Sequence, residues 1–190
     1  MCTSVVDPGE NGATRLGGGV AYTVSKVRNS KPDLLNAASG DAEQSALRVD
    51  AQITQGREQM DTLREDWIGT ASDAAGKQYG ELIGYQQTYR DQLRALKKVL
   101  AERGPKLVEL RSQLDTAVND AEGRWDVADD GSVSPGFWLA WYVFTNPAEA
   151  LRIEAMRIEI ECNIKLLLAQ FEAEDLATGN AIRQIGRELA

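Results

Sequence analysis

The chain contains no histidine, and Cys2 and Cys162 are its 2 cysteines in 190 residues. Without imidazole there is no Ser-His or Cys-His nucleophile pair, and the commonest general base and the commonest metal ligand are both missing. Two cysteines, one near the N-terminus and one inside an apolar helical pattern, supply neither a disulfide framework nor a thiolate zinc site. Cys162 reads as a small core residue. Long apolar runs are also lacking, since the longest covers only residues 137–144 and a membrane-spanning helix needs about 20 residues. The N-terminus pairs no charged start with an apolar stretch, so neither a Sec leader nor a lipoprotein site at Cys2 is expected, and any export takes another route. Positive charge is in deficit: the formal net charge is −8, which disfavours nucleic acid and offers anionic membrane no basic patch. No catalytic residue, metal site or cofactor is expected.

What is present is helical rhythm. Residues 1–19, rich in glycine and small polar residues, carry no periodicity and read as a disordered lead-in. Residues 20–190 read as a single elongated helical domain, large enough for its own core with 43% hydrophobic residues in the chain. Val20, Tyr22 and Val24 alternate with smaller residues and suggest a short extended segment. Ser30-Lys31-Pro32-Asp33 then carries the capping hydroxyl, first-turn proline and early carboxylate of a helix start.

From there Ala42, Ala46, Val49, Ile53, Gly56, Met60, Leu63 and Trp67 recur at steps of three and four, one continuous seam. The rhythm resumes with Ala75, Tyr79, Leu82, Tyr89, Leu93, Leu96 and Leu100, so Trp67-Ile68-Gly69 stands at the elbow of an antiparallel helical hairpin. Gly69 suits the left-handed conformation that closes a helix, and Thr70 with Asp73 offers a cap for the next. Gly104-Pro105 predicts a kink or short break before Leu107, Leu110, Leu114, Val118 and Ala121 continue.

Asp129-Asp130-Gly131, flanked by Trp125, Val127 and Val133, signals a small β-hairpin over about 125–134. The same stretch mimics part of a calcium loop, but Ala128 stands at a ligand position and Phe137 where a bidentate glutamate is required. The glutamates at 154, 159, 161, 172 and 174 lack the histidines of a di-iron bundle and read as a solvated face. Asn146-Pro147-Ala148-Glu149 opens a last long helix reaching about Leu189. Its seam is Leu151, Ala155, Ile158, Cys162, Leu166, Ala169, Ala173 and Leu176, widened by Ile160, Ile164, Leu167 and Phe171. The expected fold is all-α: an elongated antiparallel hairpin, a third long C-terminal helix and a minor β-hairpin.

The aromatic segment Phe137, Trp138, Trp141, Tyr142 and Phe144 has two readings. Its rings either fill space where the helices splay, or form an exposed patch for self-association, a partner or shallow contact with a membrane interface. Trp67 likewise plugs the space under a turn or presents a motif.

The order of these elements resembles the WXG-motif superfamily of type VII (ESX) secretion substrates, in which the W-x-G lies in the elbow of a helical hairpin. The likeness runs over roughly 22–189 and is nearest to larger actinobacterial, mycobacterial-type members. It is carried by Val24-Ser25-Lys26-Val27 ahead of Pro32 and Leu35, by Trp67-Ile68-Gly69 followed by Ala74-Ala75, and by Asp175-Leu176-Ala177 with Ala181-Ile182. The resemblance implies that Trp67 and Gly69, with Thr70 beside them, form part of a composite export signal on a non-catalytic module. It also implies a WXG-type or identical helical partner and a secreted or envelope-associated location. The chain departs from the family in one respect: no tyrosine is followed by an acid four residues on, so that half of the signal is expected from a partner or another region. The rival expectations are a cytoplasmic coiled-coil adaptor or structural protein, and a membrane-interface protein acting through 137–144.

Overall fold

A computed structural model of the chain describes residues 22–187; the lead-in at 1–19, Val20 and Leu189 lie outside the described residues. The elements run in the order α1 (Val24–Arg28), α2 (Asp33–Asp66), α3 (Thr70–Ala121), β1 (Trp125–Val127), β2 (Val133–Pro135), α4 (Phe137–Thr145), a 3-10 turn (Pro147–Glu149) and α5 (Ala150–Arg187). The fold is all-α with a small antiparallel β-hairpin, as expected. The contacts divide it into two compact units, residues 22–30 with 109–173 and residues 31–108 with 174–187.

The second unit holds the helical hairpin of α2 and α3. Their partners step outward from the elbow in order. Tyr79 stands over Gly56, Arg90 pairs with Asp50 at 2.9 Å, Lys97 with Glu43 at 2.9 Å, and Ser39 Oγ donates to the Lys97 carbonyl at 3.1 Å. Gly104 lies against Leu35 and Asn36, where a Cβ would collide. Ala42, Ala46, Ile53, Ile83, Leu100 and Leu107 are buried in this unit, small residues on α2 and larger ones on α3. The last stretch of α5 joins this unit through Thr178, which is buried, and through an Arg103–Glu174 ion pair at 2.8 Å.

The first unit wraps α1 and the β-hairpin around the remaining parts of α3 and α5. Thr23 caps α1 by accepting from the Lys26 N–H, while the Asp129 carbonyl and carboxylate accept from the N–H groups of Val24 and Ser25 at 2.8 and 2.7 Å. These bonds replace the extended segment expected at Val20–Val24: within the described part, a capped turn of helix docks on the hairpin turn. The strands pair as anticipated, Val127 opposite Val133 and Asp126 opposite Ser134. Gly131 closes the turn at φ +80°, with Asp130 accepting from the Ser132 N–H. Glu161 on α5 accepts from the Val133 N–H at 3.4 Å, Arg157 donates to the Val133 carbonyl at 3.2 Å, and the two side chains pair at 2.6 Å. Val27, Leu114, Ile164 and Phe171 are buried in this core, and Tyr22 packs on Phe171 at 5.7 Å between ring centroids.

Three expectations are corrected. Of the kink or short break expected at Gly104-Pro105, the break is absent, because α3 runs through Pro105 as one helix; Leu100 and Leu107, buried on either side, hold the backbone where one N–H is lost. On α3 the inward residue is Ile83, with Leu82 exposed. On α5 the core is formed by Ile153, Ile164, Leu167, Leu168 and Phe171, while Leu151, Ile158, Leu166 and Leu176 of the expected seam are exposed. Apolar residues occupy two adjacent faces of α5, and the neighbouring elements select one.

Candidate functional site at the hairpin elbow

The elbow is built by three residues with different backbone roles. Trp67 leaves α2 in an extended conformation, φ −114° and ψ 103°, while its N–H still donates to the Leu63 carbonyl at 3.1 Å. Gly69 takes φ +125° and its carbonyl accepts from the Asp73 N–H at 3.1 Å, the first bond of α3. Gly69 therefore opens the second helix rather than closing the first, and Thr70 is the first helical residue instead of the cap. The reversal needs a positive φ immediately before α3, which an L side chain resists. Asp73 in the first turn complements the positive end of α3.

Side chains at the elbow face water. Ile68 is 90% exposed, Trp67 is 44% exposed, and every residue of 61–71 is in the exposed class. Trp67 is thus only half covered, short of a plug under the turn. Leu63, exposed and one helical turn before Trp67, lies on the same face of α2. Beside it a shallow open groove is lined by Glu58, Gln59, Thr62 and Leu63. Leu82, Tyr85 and Tyr89 form a second exposed stripe, on α3 at helical spacing. Leu82 and Tyr89 were expected on the seam of α3 and instead face outward with Tyr85; the spacing of Tyr85 and Tyr89, four residues apart on a helix, was the available signal of this stripe.

The aromatic segment belongs to the other compact unit. It forms α4, in which no residue is buried. Gly136 precedes it because the Gly136 N–H donates to the Arg124 carbonyl at 2.9 Å, and a Cβ would lie 2.9 Å from that same oxygen. Leu139 and Val143, one turn apart, are half-buried, while Phe137, Trp138, Trp141, Tyr142 and Phe144 are exposed. The rings do not fill space between helices.

The carboxylates of the calcium-like stretch serve the turn. Asp129 bonds the Ser25 N–H and Asp130 the Ser132 N–H and hydroxyl, and these bonds hold both carboxyls below their usual range. Among the described residues no group of three or more Asp, Glu, Cys or His converges as a metal site.

The hairpin and its elbow coincide with a known family pattern: residues 29–110 match the model of WXG100, proteins of 100 residues with WXG. That span carries the WXG100 signature. No curated protein and no solved structure matches the chain. The WXG100 segment takes in α2, the elbow and α3 as far as residue 110, and stops before the β-hairpin, α4 and α5. It is narrower than the likeness read over 22–189. WXG100 proteins are helical, associated with type VII secretion as substrates rather than enzymes, and pair as helical hairpins. The match supports a helical, type VII secretion-associated protein. No helix among its described residues is long and apolar enough to cross a membrane.

Proposed function

We propose that the chain is a non-catalytic substrate of a type VII secretion system, or the targeting and partner-binding module of one, with Trp67, Gly69 and Thr70 as the elbow of its export signal. The observation that carries this reading is the position of the WXG tripeptide: Trp67 and Ile68 stand exposed at the tip of a hairpin whose backbone Gly69 turns. An apolar tip held on two long helices is a surface for recognition by protein. The exposed stripe Leu82, Tyr85 and Tyr89 supports a helical partner, either a WXG-type hairpin or a second copy, read at the i, i+3, i+7 spacing of helix-in-groove contacts. Such a partner supplies the tyrosine-acid half of the signal that this chain lacks. Secretion or association with the cell envelope follows from the same reading.

The test is export of the full chain from a host with a type VII system, comparing culture supernatant with cells. Trp67→Ala is expected to leave the protein folded and retained inside. Undiminished export of folded Trp67→Ala would sink the proposal.

A further inference from the structure

Helix α4 has a surface that the WXG100 segment does not account for. We infer that α4 is a docking element for the interface of an electrically neutral lipid bilayer, lying along it with its aromatic rings immersed. This inference is independent of the export reading, because it rests on residues outside 29–110 and on a different compact unit.

Charge is the first argument. In a chain with 26% charged residues, no Asp, Glu, Lys or Arg stands between Asp130 and Glu149. A surface without charge selects neither an acidic nor a basic partner, and the chain's excess of acid repels anionic lipid. A zwitterionic interface requires no charge and is its electrostatic complement.

The distribution of the rings is the second. At 100° per residue, Phe144, Phe137, Trp141, Trp138 and Tyr142 cover an arc of about 160°, with Leu139 and Val143 turned toward the fold. A helix received by a protein groove presents a narrower stripe of anchors at i, i+3, i+4 and i+7. Three of these residues, Trp138, Trp141 and Tyr142, join an apolar ring to a polar tip, the combination favoured at the headgroup boundary. They sit beside Phe137 and Phe144, exposed by 77% and 86%, which supply the purely apolar contact.

Size is the third. At 1.5 Å per residue and a helix diameter of 10–12 Å, α4 has a footprint of about 13 by 11 Å. That is a small part of the roughly 800 Å² each partner contributes to a stable protein interface. Binding to a bilayer interface instead scales with the apolar area immersed, so a small aromatic helix suffices for reversible docking.

The experiment uses the full chain and vesicles of pure phosphatidylcholine, followed by co-sedimentation and by tryptophan fluorescence with lipid-borne quenchers. Binding is expected with a blue shift and with little dependence on salt. Trp138→Ser with Trp141→Ser should lower partitioning by about tenfold or more, because two interface anchors are lost, with the far-UV circular dichroism unchanged. Phe144→Ser provides a second variant and should weaken binding less. The inference is overturned if the wild-type chain fails to bind neutral vesicles, or if both variants bind as well as it does. Binding confined to anionic vesicles and abolished by salt overturns it too. So does a concentration-dependent dimer, seen by light scattering and lost in the double variant, which would assign the patch to a second copy.

Discussion

Replacing Gly69 by alanine isolates the energetic role of the elbow. An ideal Cβ at Gly69 meets no heavy atom within 4 Å, so the substitution creates no clash and its whole effect comes from the backbone at φ +125°. Holding an L residue in such a sparsely populated region costs about 1–3 kcal/mol. Gly84 supplies the control. It lies in α3 of the same compact unit, and its Cβ also meets nothing within 4 Å, but its backbone is helical. There alanine removes unfolded-state freedom and improves helix propensity, a gain of about 0.5–1 kcal/mol. One chemical change at two open sites is therefore expected to move stability in opposite directions, with a gap of about 1.5–4 kcal/mol. Urea unfolding followed by far-UV circular dichroism reads the difference directly, provided the m-values agree. If Gly69→Ala matches or exceeds the wild type in stability, or if both variants shift the same way, the reversal does not depend on a positive φ at Gly69.

Trp67→Ala and Trp125→Ala should differ in the same assay. Trp125 is 7% exposed, and its removal from the core of the first unit should cost about 3–5 kcal/mol. The half-covered Trp67 should cost about 1–2 kcal/mol, so a folded Trp67→Ala protein is available for the export test. Glu161→Gln tests the link between α5 and the β-hairpin. The Lys165 ammonium, then the Val133 N–H and Arg157, hold the Glu161 carboxyl below its usual range. A depressed carboxylate contributes stability that is present above its unfolded pKa, about 4.3, and lost as pH falls through the lower folded value. The deficit of Glu161→Gln relative to wild type should thus be greatest at neutral pH and shrink in acid; a deficit independent of pH would show that the carboxylate charge is not what holds the hairpin.

Elements marked by backbone chemistry were legible in the sequence, as were the buried faces of α2 at Ala42, Ala46 and Ile53 and of α3 from Leu100 to Ala121, whereas the inward faces of early α3 and of α5 were legible only in part. Asp129-Asp130-Gly131 specifies its turn because only a few residue types accept the positive φ seen at Gly131. Asn146-Pro147 likewise marks the entry to α5, through a 3-10 turn. The elbow was visible for the same reason at Gly69, although its exact capping was not, since Thr70 and Gly69 both satisfy the pattern of a helix start. Burial depends on neighbours distant in sequence. Ile83 rather than Leu82 turns inward, and Ile164 and Phe171 rather than Leu151 and Leu166, because an apolar stripe wider than one seam leaves the choice to the packing partner. The aromatic segment was ambiguous for this reason too: its composition suits a core and an interface alike, and only the half-buried Leu139 and Val143 beneath it distinguish them.

The elbow separates what folding needs from what recognition needs. Gly69 serves the backbone, and its side of the tripeptide is fixed by φ alone. Trp67 and Ile68 contribute little to the hairpin core, which draws on Ala42, Ala46, Ile53 and Ile83 farther along the helices. A lone exposed isoleucine requires no explanation. Three apolar residues, Leu63, Trp67 and Ile68, within about one helical turn of each other and all exposed, form a surface that folding does not require. Under the proposed function this surface is one half of a signal. None of Tyr22, Tyr79, Tyr85, Tyr89 and Tyr142 has an acid four residues on, so under this reading the complementary half comes from a partner bound along α3 or from another region, and export of the module depends on its being supplied.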